Sequence, residues 1–264
     1  MLTWEEEWFF GSNSSADAGL SLSSFSIIDE MMATMMDIDL YPNLTSIILI
    51  GHSKGGVAAQ RFALSSSLEP RQGVTLNYYV VNPSSVAYLT AVRPVLISRD
   101  TRCDNNTVLM HNWSFAVPQY DDACGAIANY DEYPKGLGMR QNPPPYVAAR
   151  KVDEMRRAFL KRNVTYVAGT ADVCPCITSF DGTNCSGHAV PTCSTQGMCH
   201  LETLLAFAQH VQQVQIEIAS ADTCDACVDR ALSSHRLVKV PRTGHNHCAM
   251  FQADETLASM FPFP

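Results

Sequence analysis

Ser53 lies in the pattern Gly51-His-Ser53-Lys-Gly55, directly after the apolar run Ser46-Ile-Ile-Leu-Ile50 and before Val57–Leu68, which has helical composition. A serine on a sharp strand-to-helix turn projects its hydroxyl above a sheet. Glycines on either side, here Gly51 and Gly55, avoid collision with the neighbouring strand and helix. A serine hydroxyl is a poor nucleophile until a base removes its proton, and that base needs a carboxylate to orient it. Asp172 follows the strand candidate Asn163–Ala168 through Gly169-Thr-Ala, and His245 follows the strand candidate Leu237–Val240. Both therefore fall at the carboxyl ends of strands, as Ser53 does, and a parallel sheet would gather them at one edge. Asp181 is the rival acid and His247 the rival base. The plainer alternatives are a turn serine, a loop or cap carboxylate, and a surface histidine.

Other constellations are weaker. Lys54 and its glycines suggest a phosphate loop, but the G-x-x-x-x-G-K-[ST] spacing is missing. Cys174-Pro-Cys176 and Cys224-Asp-Ala-Cys227 could be redox or metal motifs, although structural disulfides suit a late, Cys-rich region better. His245-x-His247-Cys248 offers zinc-ligand chemistry with no convincing partner motif. Asn82-Pro-Ser-Ser85 stands where a strand meets the same edge and reads as a turn, with substrate contact as the alternative. No cofactor motif is present, so neither a cofactor nor a resident metal is expected.

The elements that must position these residues follow from periodicity. Ser23 or Ser24 can cap a helix running to about Asp37, with Phe25, Ile28, Met32 and Met35 on one face. Ser46–Ile50 is apolar on both faces, as in a buried parallel strand, and Thr75–Val81 is the second strand. A helix is expected over Tyr146–Lys161, where Val152, Met155 and Phe159 recur, and another over Leu201–Val214. Strands alternating with helices give an α/β class with a mainly parallel sheet flanked by helices. One domain, 1–264, accounts for the chain. Within it, 1–45 is an N-terminal remnant, 86–145 a Pro-rich cap-like excursion, and 173–200 a Cys-rich loop.

Composition narrows the setting. A hydrophobic share of 46% excludes intrinsic disorder. No apolar run reaches the roughly 18 residues of a transmembrane segment. The net charge of −8, without a basic cluster, argues against a nucleic-acid partner. Ten cysteines and N-x-[ST] acceptors at Asn13, Asn43, Asn105, Asn112, Asn163 and Asn184 favour a secreted, disulfide-bonded glycoprotein. The acidic start, Met1-Leu-Thr-Trp-Glu-Glu-Glu7, contains no apolar signal core, so a signal peptide is expected upstream of it.

The chain resembles the α/β-hydrolase superfamily, and within it a poorly characterised group of secreted hydrolases of microbial and fungal-like eukaryotes. The resemblance rests on Ile47–Gly56, Tyr79–Ser85, Val164–Asp172 and Val240–Phe251, in the expected order over most of residues 20–264. It implies Ser53 as nucleophile, Asp172 as acid and His245 as base, with the backbone N–H of Lys54 as one oxyanion-hole donor. It also implies several strands and a second oxyanion loop before the elbow, where this sequence has one helix and little strand signal. The fold is therefore expected to be N-terminally truncated, with the edge of Ile47–Ile50 unpaired. The expected function is serine hydrolysis of a small-molecule or lipid ester, esterase- or lipase-like, in a secreted or extracellular protein. The alternative is a non-catalytic secreted glycoprotein that keeps the fold as a binding module. A metal-dependent site on His245, His247 and Cys248 is a weaker third reading.

Overall fold

Four strands with β-branched and aromatic cores line up in one direction. They are β1 (Ser46–His52), β2 (Thr75–Val81), β5 (Asn163–Gly169) and β6 (His235–Val240), parallel throughout in the order β1-β2-β5-β6. The computed structural model describes residues 2–4, 7–15, 19–96, 113–118, 130–138, 142–173, 199–221 and 234–261. Asp181, most of the Cys-rich loop and eight of the ten cysteines lie outside the described residues. The register pairs His52 with Val81, Val81 with Val167 and Gly169 with Val240. The carboxyl ends of all four strands thus share one edge.

Side chains alternate across this sheet and give it two cores. Tyr78, Val80, Val164 and Tyr166 face the larger one, with helices α1 (Ser24–Met35), α2 (Lys54–Ser65), α4 (Val152–Lys161) and α5 (His200–Ala221) packed over it. Tyr79, Val81, Val167 and Val240 face the smaller one, closed by Met250, Phe251 and Met260 of two short C-terminal helices. These are α6 (His247–Gln252) and α7 (Asp254–Met260). Of the two serines expected to cap α1, Ser23 does so, its Oγ accepting from the Phe25 N–H at 3.1 Å.

One expectation about the elements changes. The helix predicted over Tyr146–Lys161 is two helices, α3 (Pro145–Ala148) and α4, because Lys151 turns extended and caps the second. The break sends Tyr146 to Phe25 and Asp29 of α1, while Phe159 faces His235 and the sheet. An apolar period of three to four residues is equally compatible with both arrangements. Residues 86–145 begin inside the core, since Val86, Ala87, Tyr88 and Leu89 are fully buried. Farther on, β3 (Arg93–Leu96) and β4 (Trp113–Ala116) form a separate antiparallel pair.

Arg61 joins this stretch to α2. It is fully buried and donates to the Pro134 carbonyl, the Ser85 carbonyl and Ser85 Oγ, with its guanidinium 5.0 Å from the Phe10 ring centroid. Burial lowers its pKa to about 10, against an opposing effect of Tyr133. On the other side of the sheet, β1 has only β2 as a neighbour among the described residues, and Ile48, Leu49 and Ile50 are half-buried. No helix among the described residues is long and apolar enough to cross a membrane.

Two core histidines are held neutral. His235 Nε2 donates to the Phe159 carbonyl at 3.0 Å, which leaves Nδ1 to accept from the Tyr166 hydroxyl at 2.8 Å. His210 Nε2 accepts from the Leu89 N–H at 3.3 Å. Desolvation lowers the first to about 4, and desolvation with the charges of Arg93 and Arg156 lowers the second to about 3. Their folded pKa values lie below the unfolded value of about 6.5, so the unfolded chain binds more protons between these limits. Stability is therefore complete above about pH 6.5 and falls by a few kcal/mol as the pH drops towards 4. Urea unfolding at pH 7 and pH 4.5 measures this, and equal midpoints and slopes would contradict it.

Candidate active site

Ser53 occupies the turn between β1 and α2 with φ 56° and ψ −120°, a backbone conformation in which a Cβ is strained. Its N–H donates to the Val81 carbonyl at 3.0 Å, and its own carbonyl accepts from the Val57 N–H at 3.0 Å. These bonds fix the turn to β2 and to the helix. The glycine requirement differs from the sequence expectation. A Cβ at Gly51 would lie 2.0 Å from the Gly55 carbonyl oxygen, and one at Gly56 would lie 2.7 Å from that of Val81. A Cβ at Gly55 would meet nothing within 4 Å. The close approaches are therefore at Gly51 and Gly56, because α2 crosses β2 at its third residue. Lys54 is the first residue of α2, so its N–H has no acceptor within the helix.

Asp172 is 4% exposed at the end of the turn that follows β5. Its N–H donates to the Gly169 carbonyl, and its carbonyl accepts from the Leu201 N–H at the start of α5. Its carboxylate receives two imidazole N–H groups: His245 Nδ1 at 2.7 Å and His200 Nδ1 at 3.3 Å. Burial alone would raise its pKa, but the hydrogen bonds and charges of the two histidines outweigh this and hold it below the ordinary value. The acid and base positions predicted from sequence are thus in direct contact. Asp181 lies outside the described residues. His247 is exposed on α6 and makes ring contact with His52 at 6.1 Å.

The imidazoles form a layer over the acid. The rings of His200 and His245 stack at 4.3 Å with 24° between planes, and His52 lies 4.6 Å from His245. His52 is the chain neighbour of Ser53, so this contact sets His245 beside the serine turn. Desolvation, followed by the charge of His245, lowers the His52 pKa to about 4. Among the described residues, no hydrogen bond joins Ser53 Oγ to His245. His245 Nε2 is the ring nitrogen that Asp172 leaves available.

Asn82 does more than form a turn. It is fully buried at φ 39°, accepts from the Gly169 N–H at 2.9 Å and donates to the Gly244 carbonyl at 3.3 Å. One side chain therefore ties the ends of β2 and β5 to the loop that carries His245. The Ala171 N–H adds a bond to the Thr243 carbonyl, and a Cβ at Gly169 would lie 2.3 Å from that same oxygen. Sequence reasoning missed His200, His52 and the clamping role of Asn82. The helical run starting at Leu201 placed His200 at a helix start, but nothing local signals its contact with a carboxylate 28 residues earlier.

No family model matches the chain, and no curated protein matches it. Among solved structures, it superposes on poly(aspartic acid) hydrolase-1 from Sphingomonas sp. KT-1 with a TM-score of 0.50 and 17% identity, over 91% of this chain. It superposes on a poly(3-hydroxybutyrate) depolymerase from Bordetella parapertussis with a TM-score of 0.51 and 16% identity, also over 91%. The chain has an α/β-hydrolase fold. It spans 66% and 59% of those two chains. In this α/β-hydrolase sheet, the serine turn, the acid turn and the histidine loop all leave the carboxyl edge.

Two outcomes follow from this geometry. Ser53→Gly removes the strained Cβ and is expected to be more stable than Ser53→Ala by about 1 kcal/mol in denaturant unfolding, although glycine usually costs entropy. A less stable glycine variant would mean that the turn carries no strain. Asn82→Ala leaves the Gly169 N–H and Gly244 carbonyl without their partner and should cost about 1–3 kcal/mol. Hydrogen exchange should quicken at Gly169 in this variant. Unchanged stability and exchange would remove the clamp.

Proposed function

We propose that the chain is a serine hydrolase that cleaves an ester or related acyl bond through Ser53, His245 and Asp172. The contact between His245 Nδ1 and the buried Asp172 carboxylate carries this reading. It fixes the tautomer with the proton on Nδ1, so Nε2 is the nitrogen with basic capacity. Ser53 Oγ attacks the carbonyl carbon while Nε2 takes its proton, and the tetrahedral oxyanion is held by the Lys54 N–H at the start of α2. Nε2 returns the proton to the leaving alcohol. Water then repeats the sequence on the acyl-serine. Further support comes from the two structural neighbours, which by name are a poly(aspartic acid) hydrolase and a poly(3-hydroxybutyrate) depolymerase. An ester is favoured over an amide because its alcohol leaves with less protonation than an amine requires.

The missing hydrogen bond between Ser53 Oγ and His245 favours a second reading, a non-catalytic binding module on the same fold. Such bonds often tighten only with substrate present. A fluorophosphonate probe separates the two. The hydrolase reading expects covalent labelling of Ser53 and none in Ser53→Ala. Loss of short-chain ester turnover should be of similar size in Ser53→Ala and His245→Ala, since nucleophile and base act as a unit. His247→Ala should be milder. Absence of labelling at Ser53 would leave the binding module.

The secretory reading has its own measurement. Cys199 is buried and Cys248 exposed, and neither is bonded to another cysteine among the described residues. Burial raises the Cys199 thiol to about 12, with Glu202 adding to the effect. If the remaining cysteines are oxidised, native protein titrates one thiol at Cys248 and a second, Cys199, only after unfolding. Ten free thiols in protein from its natural source would remove the secretory proposal.

A further inference from the structure

Asp172, His200 and His245 each present a ligand atom within 4.8 Å of the other two. From these positions we propose that they form a binding site for a zinc-class divalent ion, and that this ion switches off the histidine base. The inhibitory half of the proposal rests on the serine-hydrolase reading, whereas the site itself does not.

The ligand set is one carboxylate and two imidazoles, which suits zinc and its borderline neighbours rather than magnesium or calcium. Ligand bonds of about 2.0–2.1 Å place tetrahedral donor atoms roughly 3.4 Å apart. His200 Nδ1 lies 3.3 Å from Asp172 Oδ1 and His245 Nδ1 lies 2.7 Å from Oδ2, so each imidazole already faces its own carboxylate oxygen, and an ion between the rings needs the His245 contact to open. The acid is anchored by backbone bonds to Gly169 and Leu201, while His245 is the more exposed of the two imidazoles. His52 stands against the His245 ring, and its Nε2 is buried with no hydrogen-bond partner among the described residues, but it does not belong to the convergent group, so a fourth position on the ion is left for water. This cluster differs from the His245, His247 and Cys248 set suggested by the sequence. His247 and Cys248 are exposed on α6 and do not belong to the convergent group among the described residues.

Occupation has a defined chemical consequence. In the ion-free site, His200 and His245 carry a proton on Nδ1 and donate it to Asp172. An ion bound at Nδ1 requires that lone pair, so the proton leaves Nδ1 and Nε2 takes one up from solvent. The ring stays neutral, but His245 Nε2 is now protonated and cannot accept the Ser53 proton. The ion also replaces the Nδ1–H···Asp172 bond that orients the ring.

The test uses zinc chloride with the full chain, and pairs calorimetric binding with hydrolysis of a short-chain ester. We expect one equivalent of zinc to bind and turnover to fall at least tenfold on saturation, with recovery on adding EDTA. In His200→Ala, zinc binding should weaken at least tenfold. The ratio of zinc-treated to zinc-free turnover should rise towards one, a ratio that cancels any change in basal activity. His200→Asn serves as a second variant if the alanine variant misfolds, with circular dichroism as the check. Zinc binding that is unaffected by either substitution would place the ion elsewhere and overturn the site. Turnover that increases with zinc would overturn the inhibitory role. Zinc binding lost in the His200 variants, in a chain that hydrolyses no ester without metal, would uphold the site and overturn the hydrolase reading.

Discussion

An ionised carboxylate taken out of water costs several kcal/mol unless donors meet its oxygens. Asp172 imposes that constraint on the whole carboxyl edge of the sheet. Its two donors come from residues 28 and 73 positions later, on the first turn of α5 and on the loop after β6. Neither donor is local, so the carboxylate is satisfied only when β5, β6 and α5 are all in place. The same residue receives the Leu201 N–H on its carbonyl, which seats the start of α5 on the acid turn. Removing either histidine would leave a buried oxygen underpaired, so the site and the tertiary structure near it share one interaction.

Satisfying this carboxylate requires close approach of backbones, and small or polar residues supply it. Gly169 allows the acid turn to touch the Thr243 carbonyl, and Asn82 fills the gap between the strands and the histidine loop with two hydrogen bonds. Gly56 does the same for α2 against β2. The strained φ at Ser53 is maintained by this packing. Residues Gly56–Ser65 of α2 are buried without exception. Burying a helix face of that length stabilises by far more than the roughly 1–3 kcal/mol of one strained residue. The turn therefore cannot relax without lifting α2 from the sheet.

Much of this was legible from the sequence because it depends on local chemistry. Thr75–Val81 is a strand with the expected bounds, Ser23 is one of the two serines expected as the cap, and the apolar run before Ser53 is the strand that carries it. Asp172 and His245 were placed by a simple topological argument: residues just past parallel strands share an edge. What was not legible depends on distances between elements. Gly55 and Gly56 are indistinguishable in sequence, and only the crossing of α2 over β2 makes the second one necessary. The split between α3 and α4 keeps the apolar period intact, so periodicity could not reveal it. The contact of His200 with Asp172 is set by where the start of α5 meets the acid turn, and no spacing rule encodes that. The antiparallel β3–β4 pair was hidden by prolines that made its surroundings read as irregular.

Exposure is graded across the three residues, and the gradient is itself a mechanistic argument. The Asp172 side chain is 4% exposed, Ser53 is half-buried, and the His245 side chain is 36% exposed. A buried acid keeps its proton affinity low only because imidazole N–H groups face it, so it orients without taking the proton itself. In the proposed reaction, the more exposed His245 is the one placed to exchange protons with a leaving group and with water. The loop bearing His245 is anchored behind the residue, through the Thr243 and Gly244 carbonyls, and ahead of it, where Asn246 caps α6 by accepting the Ala249 N–H at 3.0 Å. The imidazole is thus fixed at both backbone ends and at Nδ1, while Nε2 alone is left to chemistry. In the proposed hydrolase, a metal ion that took Nδ1 would reach Ser53 only through Nε2.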